Sequence, residues 1–225
     1  MELKSNYFKQ SDIMELLLGD AMDTATLQLA DPALLQFYQR ISRRELLLDT
    51  DVDGDVNTLI HWIRYWNQED RDNDIPVPQR HPITLLLDTP GGETMEGLAL
   101  YSAMKASKTP VRAVVMGTCA SAGMIILSGA TPGIRYAFDT SSFLIHDGSC
   151  GVYDSSNKSQ DTMKYWKMLD EKVRSCIVEN SKISPALYKK KERIEWWMMA
   201  QEALKYGLID HIVTDFDDIA DVTHE

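Results

Sequence analysis

An α/β fold with a mostly parallel sheet and one long helix is predicted from three features of the 225-residue sequence. Largely apolar runs of strand length occur at residues 82–87 and 111–116, the second with Arg112 within it. A turn rich in small residues and then a helical pattern follow each run. Strands and helices that alternate at this spacing imply right-handed crossovers between parallel strands. The chain length favours one large domain over two independent ones.

The first elements precede these strands. Residues 1–40 are predicted to be an N-terminal arm, and 41–225 a single domain. The arm contains one amphipathic set of apolar residues, Ile13, Leu16, Leu17 and Met22. A short strand at 46–48 leads into an acidic turn, and Asp55 is placed to cap a helix that starts at Val56. The charged stretch 67–81 contains prolines, which predicts an exposed loop.

The remaining elements follow in order. A helix is predicted around residues 95–104, and the strand 111–116 leads into a helix of small residues at 120–129. Two strand-like segments, 134–138 and 142–145, precede a long helix from about 155 to 181. This helix has an apolar stripe: Met163, Trp166, Leu169, Val173, Cys176 and Ile177. The stripe predicts a packing surface, against the domain's own core or a neighbouring subunit.

Composition restricts the partners and the compartment. A formal net charge of −11 disfavours nucleic acid as a partner. The three cysteines, Cys119, Cys150 and Cys176, are unsuited to a disulfide framework and indicate a reducing, cytoplasmic location. No basic region with an apolar run opens the sequence, and no run of about eighteen apolar residues occurs, so neither an export signal nor a membrane span is expected.

One acidic segment resembles the first half of a calcium-binding loop. Residues 49–54, Asp-Thr-Asp-Val-Asp-Gly, match its opening. Ile60 occupies the twelfth position, where a bidentate glutamate is required. The segment is therefore interpreted as an acidic turn. Because the histidines also lack metal-ligand spacing, no metal site is predicted.

Two turns carry residues suited to chemistry, since functional groups of open parallel sheets gather at the carboxyl ends of strands. The turn 88–92 contains Gly91 and Gly92, and the turn 117–123 surrounds Ser121 with small residues. A serine at a helix N-terminus suits acyl transfer because exposed N–H groups favour the developing anion. Ser121 could equally cap a packed helix, and Cys119 replaces the first glycine of the G-x-S-x-G hydrolase motif.

His146 supplies a candidate base. It ends the predicted strand 142–145, which places the imidazole at the rim of the sheet. A catalytic serine needs such a base, and the base needs a third group, usually a carboxylate, to fix its tautomer. Several carboxylates are available, and these considerations do not choose among them.

At these residues the chain resembles the proteolytic subunit of the ATP-dependent Clp protease, the S14 serine peptidase family. The similar segments are 87–92, 116–123, 133–137, 143–146 and 203–210. The resemblance covers roughly residues 44–215. It implies the ClpP/crotonase-like spiral of strand-helix units, with a mostly parallel sheet and a long handle helix within about 147–181.

The resemblance also implies roles for individual residues. Ser121 corresponds to the nucleophile and His146 to the base of a serine endopeptidase. The backbone N–H groups of Gly92 and Ala122 correspond to the oxyanion hole. Glu195 stands where the family has its catalytic aspartate.

Three features depart from the family pattern. Glutamate at 195 adds a methylene, and Glu192 and Asp147 remain rival carboxylates. The segment 147–153 lacks the glutamine and proline that usually follow the histidine. Residues 1–40 do not resemble the short axial loop that contributes to unfoldase docking.

The family implies peptide or unfolded protein substrates, assembly into two stacked heptameric rings, and a Clp-type AAA+ unfoldase as partner. It implies no organic cofactor, because the partner hydrolyses the ATP. Two alternatives stay open: a catalytically impaired ring subunit that regulates an active protease, and a crotonase-type acyl-CoA enzyme, which shares the spiral and a glycine-based oxyanion hole.

Overall fold

The computed structural model describes residues 32–148, 151 and 155–219. The amphipathic set at 13–22 lies outside the described residues, as does part of the segment that follows His146. Two compact units are distinguished, one ending at Leu46 and one beginning at Leu47. All the candidate functional residues belong to the second unit.

Helices and strands alternate along the described chain. The helices are α1 (Pro32–Ser42), α2 (Val56–Asp72), α3 (Thr94–Ala106), α4 (Ala122–Gly129), α5 (Ser156–Glu179), α6 (Pro185–Lys191) and α7 (Ala200–Lys205). The strands are β1 (Glu45–Leu48), β2 (Ile83–Thr89), β3 (Val111–Ala120), β4 (Arg135–Phe138), β5 (Ser142–Ile145), β6 (Trp196–Met199) and β7 (His211–Val213). Among the helices of the described residues, none combines the length and the apolar character needed to cross a membrane.

The strands form a sheet in which the pairings among β2 to β5 and β7 are parallel and the pairing of β6 with β5 is antiparallel. Strands β2, β3, β4 and β7 lie side by side in that order, with the Leu47–Leu48 end of β1 at the β2 edge. β5 pairs in parallel with β3, and β6 pairs antiparallel with β5. Helices α3 and α4 pack against each other, and α4 is buried along its whole length. The predicted α/β fold with a mostly parallel sheet is confirmed.

Strand β3 is shared by two branches of the sheet. Its residues 113–115 pair with β4, whereas its residues 118–120 pair with β5. Between the two segments the register with β2 shifts, because Leu87 pairs with Val115 but Thr89 pairs with Cys119. The shift turns the end of β3 away from β4 and toward β5.

Asp88 occupies the space created by this shift. Its Oδ1 accepts a hydrogen bond of 2.7 Å from the N–H of Thr118. A Cβ atom at Gly117 would lie 2.6 Å from the same oxygen, so a larger residue there would displace the Asp88 carboxylate from its bond to Thr118. The strand therefore continues through Gly117 to Ala120, and the predicted strand end at 116 and helix start at 120 were both wrong.

The predicted loop at 67–81 was wrong at its start, since α2 continues to Asp72. Two polar side chains in this last part of α2 bond to other parts of the protein, which explains why the segment is not an exposed loop. Asp70 is fully buried and accepts a hydrogen bond of 2.5 Å from Thr109 Oγ1. The side-chain oxygen of Asn67 accepts from the N–H of Lys108 at 2.8 Å. Asp55 precedes the helix as predicted, but its side chain makes no capping hydrogen bond.

Arg135 and Asp210 form an ion pair that joins β4 to the residue before β7. Two hydrogen bonds, of 2.8 Å and 2.7 Å, link the guanidinium to the carboxylate. Arg135 Nη1 also donates to the carbonyl of Asn180, the residue after α5, at 2.7 Å. Partial burial alone would raise the pKa of the Asp210 carboxyl, but the bonds and charge of Arg135 outweigh it and the pKa is lowered.

We expect Asp210→Asn to lower the free energy of unfolding by about 3 kcal/mol at neutral pH, because Arg135 keeps a buried charge without its counter-ion. The folded-state pKa lies below the unfolded value of about 3.9. The stabilisation is therefore complete above that value and is lost as the pH falls through the folded pKa. Urea unfolding of the wild type and of Asp210→Asn, from neutral pH down to about pH 3, measures the difference between their free energies of unfolding.

Asp161→Asn is the matched control, because Asp161 pairs with Lys164 on the exposed surface of α5. Exposed pairs contribute little to stability. Two outcomes would contradict the role given to the buried pair. One is a loss of unfolding free energy as large in Asp161→Asn as in Asp210→Asn. The other is a difference between wild type and Asp210→Asn that does not become smaller in acid.

Candidate active site

Ser121 occupies a strained turn between β3 and α4. Its φ of +54° and ψ of −118° lie in a region that residues with a side chain rarely adopt. Holding such a conformation costs about 1–3 kcal/mol, and it persists only where neighbouring contacts enforce it. The nucleophile turn of serine hydrolases has this strand-to-helix form. The local sequence left open whether Ser121 is a capping serine, and its side chain makes no capping bond.

Cys119 is the other potential nucleophile in this turn. It is fully buried, and burial raises the pKa of its thiol. A thiol in apolar surroundings stays protonated and unreactive. Ser121 is half-buried and therefore reachable, so the hydroxyl is the better nucleophile at this position.

The glycine turn 90–92 packs directly on Ser121. A Cβ atom at Gly91 would lie 2.6 Å from Ser121 Cβ and 3.0 Å from the N atom of Ala122. Gly91 and Gly92 both have positive φ angles, of 102° and 149°. No other residue type combines this backbone with this close approach. The two turns whose N–H groups were predicted to bind an oxyanion are therefore in contact.

Both predicted oxyanion donors have free N–H groups. Ala122 opens α4, and the first N–H groups of a helix have no partner within it. Gly92 is exposed, and its N–H donates to no acceptor in the described part of the chain. Two such donors beside a nucleophile are the geometric requirement for stabilising an acyl-transfer intermediate.

His146 immediately follows β5, which lies next to the end of β3. The backbone N–H of Ser121 donates to the carbonyl of Leu144 at 3.0 Å, which joins the serine turn to the strand that carries the histidine. The imidazole is half-buried, and its Nε2 atom is buried with no hydrogen-bond partner among the described residues. An unpartnered buried nitrogen costs about 1–3 kcal/mol. Neither Ser121 nor Glu195 is bonded to Nε2 in this state.

Glu195 lies next to the end of the β5–β6 ladder. Ile145 pairs with Trp196 at the end of the β5–β6 ladder, so His146 and Glu195 are the residues that directly adjoin this last pair, and extending the register by one step would place them opposite each other. The side chain of Glu195 is exposed, and its Oε2 accepts a hydrogen bond of 3.2 Å from Trp197 Nε1. Glu195 therefore directly precedes β6, and its carboxylate is bonded to an indole instead of an imidazole.

The two rival carboxylates have other surroundings. Glu192 makes an ion pair with Arg174 of α5, with a shortest distance of 2.9 Å. Its backbone carbonyl accepts from the N–H of Asp147 at 2.7 Å, so both rivals lie close to the histidine. Asp147 is exposed, and the pKa of its carboxyl is raised by burial first and by the charge of Glu192 second.

The acidic segment 49–54 forms a turn. The Oδ1 atom of Asp53 accepts from the N–H of Asp55 at 2.9 Å. Among the described residues, no three histidine, cysteine, aspartate or glutamate side chains come together as metal ligands would.

A sequence model of the family described as Clp protease matches residues 33–216, which is most of the chain. The chain belongs to the Clp protease family. Members of this family are serine-type endopeptidases, so the predicted family and enzyme class are confirmed.

Three relatives show how far the similarity extends. The ATP-dependent Clp protease proteolytic subunit 2 of Nocardia farcinica is 30% identical over 85% of this chain and 89% of its own length. The protein of the same name from Corynebacterium glutamicum is 30% identical over 79% of this chain and 85% of its own. The ATP-dependent Clp protease proteolytic subunit of Streptococcus mutans is 30% identical over 78% of this chain and 88% of its own.

Two residues that touch the site were missed by sequence reasoning. Thr89 and Val52 bond to the glycine turn of this Clp protease family member. Thr89 stands directly before Pro90 in the recognised motif, so a buried hydroxyl beside the glycine turn could have been noticed. Val52 was considered only as part of the calcium-like segment, and nothing in its sequence context indicates contact with Gly91.

Proposed function

We propose that this chain is the peptide-cleaving subunit of a self-compartmentalised, ATPase-assisted protease, with residues 41–225 as its peptidase domain and Ser121 as its nucleophile. The observation that carries the proposal is the strained turn at Ser121, against which Gly91 packs more closely than any side chain permits. Such a turn lets one peptide carbonyl meet the hydroxyl and the adjacent N–H groups together.

Acylation begins when Ser121 Oγ attacks the carbonyl carbon of the scissile peptide bond. His146 removes the hydroxyl proton, because serine forms almost no alkoxide by itself at neutral pH. The N–H groups of Gly92 and Ala122 donate to the oxyanion of the tetrahedral intermediate. His146 then gives its proton to the leaving amine as the C–N bond breaks, which leaves an ester on Ser121.

Deacylation repeats these steps with water. His146 takes a proton from the water that attacks the ester carbonyl, and the same two N–H groups stabilise the second oxyanion. Collapse of this intermediate releases the new carboxyl terminus and returns the proton to Ser121. The unpartnered Nε2 atom of His146 is the position from which both proton transfers would occur.

Glu195 is proposed as the carboxylate that orients His146, on the basis of the strand register. It must leave Trp197 Nε1 to do so. Catalytic hydrogen bonds are often long or misaligned before substrate binds, and tighten in the complex. We therefore assign the observed arrangement to the resting state.

The partners follow from the family. Peptides or unfolded proteins are the proposed substrates, and a Clp-type AAA+ unfoldase the proposed source of ATP-driven delivery. We propose assembly into stacked heptameric rings in the cytoplasm. The exposed apolar side chains Met163, Tyr165 and Met168 on α5 support a subunit interface on this helix.

A catalytically impaired ring subunit is the second candidate. The bond between Glu195 and Trp197, together with the unpartnered Nε2 of His146, keeps this alternative open without favouring it, because a resting state and a permanently misaligned site have the same contacts. The two candidates differ in whether the assembled protein forms an acyl-type adduct at Ser121.

Treatment with a fluorophosphonate probe, followed by native mass spectrometry and peptide mapping, tests the proposal. We expect one adduct per subunit, on Ser121, in an assembly whose mass corresponds to stacked rings. His146→Ala should lose the adduct, because the hydroxyl then lacks its base. Ser102→Ala is the matched control, since Ser102 is an exposed serine of α3. An assembled protein without the Ser121 adduct would establish the impaired subunit instead.

A further inference from the structure

The segment 50–52 holds the glycine turn at both ends. The N–H of Val52 donates to the carbonyl of Gly91 at 2.7 Å, and the carbonyl of Val52 accepts from the N–H of Glu93 at 2.7 Å. The contact is so close that a Cβ atom at Gly92 would lie 2.3 Å from the Val52 carbonyl oxygen. This part of the calcium-like segment is therefore a backbone clamp on the turn.

The clamp sets the direction of the proposed oxyanion donor. Gly91 and Gly92 share a trans peptide bond, and a peptide unit is planar. Its C=O and N–H therefore point in opposite directions. Because Val52 fixes the C=O of Gly91 on one side, the N–H of Gly92 must face the other side, where it is exposed and unbonded.

Thr89 joins the clamp to the turn. Its hydroxyl donates to the carbonyl of Thr50 at 2.6 Å and accepts from the N–H of Gly91 at 3.2 Å. The residue is fully buried at the end of β2, so water does not compete for either bond. One hydroxyl thus fixes both the glycine turn and the segment that orients it.

We propose that the Thr89 hydroxyl is a positioning group that aims the Gly92 N–H at the developing oxyanion. The inference rests on the proposed function, because the oxyanion hole is part of it. Without the hydroxyl, the carbonyl of Thr50 and the N–H of Gly91 lose their shared partner and the turn can rotate. An oxyanion donor that rotates out of line no longer stabilises the transition state, although substrate can still bind.

A purely structural role for Thr89 makes a different prediction. Its methyl group packs against α4, since a Cβ atom at Gly123 would lie 2.8 Å from Thr89 Cγ2. If packing is the function, the methyl matters and the hydroxyl does not. Thr89→Val keeps the volume and loses the hydroxyl, whereas Thr89→Ser keeps the hydroxyl and loses the methyl, so the two variants separate these roles.

The test measures kcat and KM for a short fluorogenic peptide, with the thermal midpoint of each assembled variant. We expect Thr89→Val to lower kcat by about 10- to 100-fold with KM within about twofold. Thr89→Ser should keep about half of the wild-type kcat. If Thr89→Val does not assemble, Thr89→Ala takes its place, because alanine and serine both lack the methyl and differ only in the hydroxyl.

Two kinetic results and one stability result would overturn the proposal. The kinetic results are a wild-type kcat in the variants without the hydroxyl and a lower kcat for Thr89→Ser than for Thr89→Val. The stability result is a loss of thermal stability in parallel with kcat across the series. Ser121→Ala, measured alongside, identifies failure of the proposed function itself, because full activity in that variant removes Ser121 from the reaction whatever Thr89 does.

Discussion

Replacement of Ser121 by alanine is expected to reduce kcat for peptide hydrolysis by a factor on the order of 10⁵ to 10⁶. The physical reason is that the strained turn, the glycine turn and the histidine remain, but no hydroxyl is left to form the ester. The alanine keeps the Cβ atom that contacts Gly91, so the folded structure is unchanged. Initial rates at saturating peptide, with the assembled protein, measure the loss.

His146→Ala and the double variant provide the internal control for this prediction. Groups that act as one unit are not additive, so removing both should cost little more than removing Ser121 alone. Losses that multiply in the double variant would contradict a shared step. An active Ser121→Ala protein would require a different nucleophile altogether.

Glu195→Gln is expected to lower kcat by a factor of roughly 10³ to 10⁴, the size of loss seen when the orienting carboxylate of a triad becomes an amide. The amide has nearly the same shape but cannot stabilise the imidazolium ion that forms during acylation. The pH dependence of kcat, together with its value at neutral pH, is the measurement. Glu195→Asp should lose less, because it keeps the charge.

The rival carboxylates supply the matched controls for Glu195. Glu192→Gln should lower the free energy of unfolding and leave kcat nearly unchanged, because it removes the negative charge that pairs with Arg174. Asp147→Asn should change kcat little, since its side chain is exposed. If either of these variants is inactive and Glu195→Gln is active, the assignment from the strand register is wrong.

The central fold was predictable because its strands are long, apolar and buried on both faces. Residues 83–87 and 111–115 form an in-register parallel pair, as their largely apolar sequences indicated. The end of β3 was not predictable, because Gly117 ordinarily signals a turn. Here the absence of a side chain at Gly117 leaves room for the Asp88 carboxylate, a tertiary contact that periodicity does not report.

The candidate site was predictable in its parts but not in its arrangement. Small residues around Ser121 and the paired glycines were visible as motifs, and the structure brings those two turns into contact. The strand β6 was missed, because four residues that follow a charged run give too short an alternation. Its outward Trp197, whose indole bonds to Glu195, therefore had no role in the sequence-based interpretation.

The division of β3 between two partners places the proposed nucleophile and the proposed base after strands with unequal support from their neighbours. Ser121 follows a strand flanked on both sides, by β2 and by the β4 and β5 branches in turn. His146 follows β5, and within the described residues the four-residue β6 is the one strand that lies beyond it. Local unfolding of the β5–β6 strand pair would move His146 away from Ser121 while the central strands β2, β3 and β4 stay folded. If the proposed site is correct, the geometry between Ser121 and His146 depends on this outer strand pair more than the folding of the central strands does.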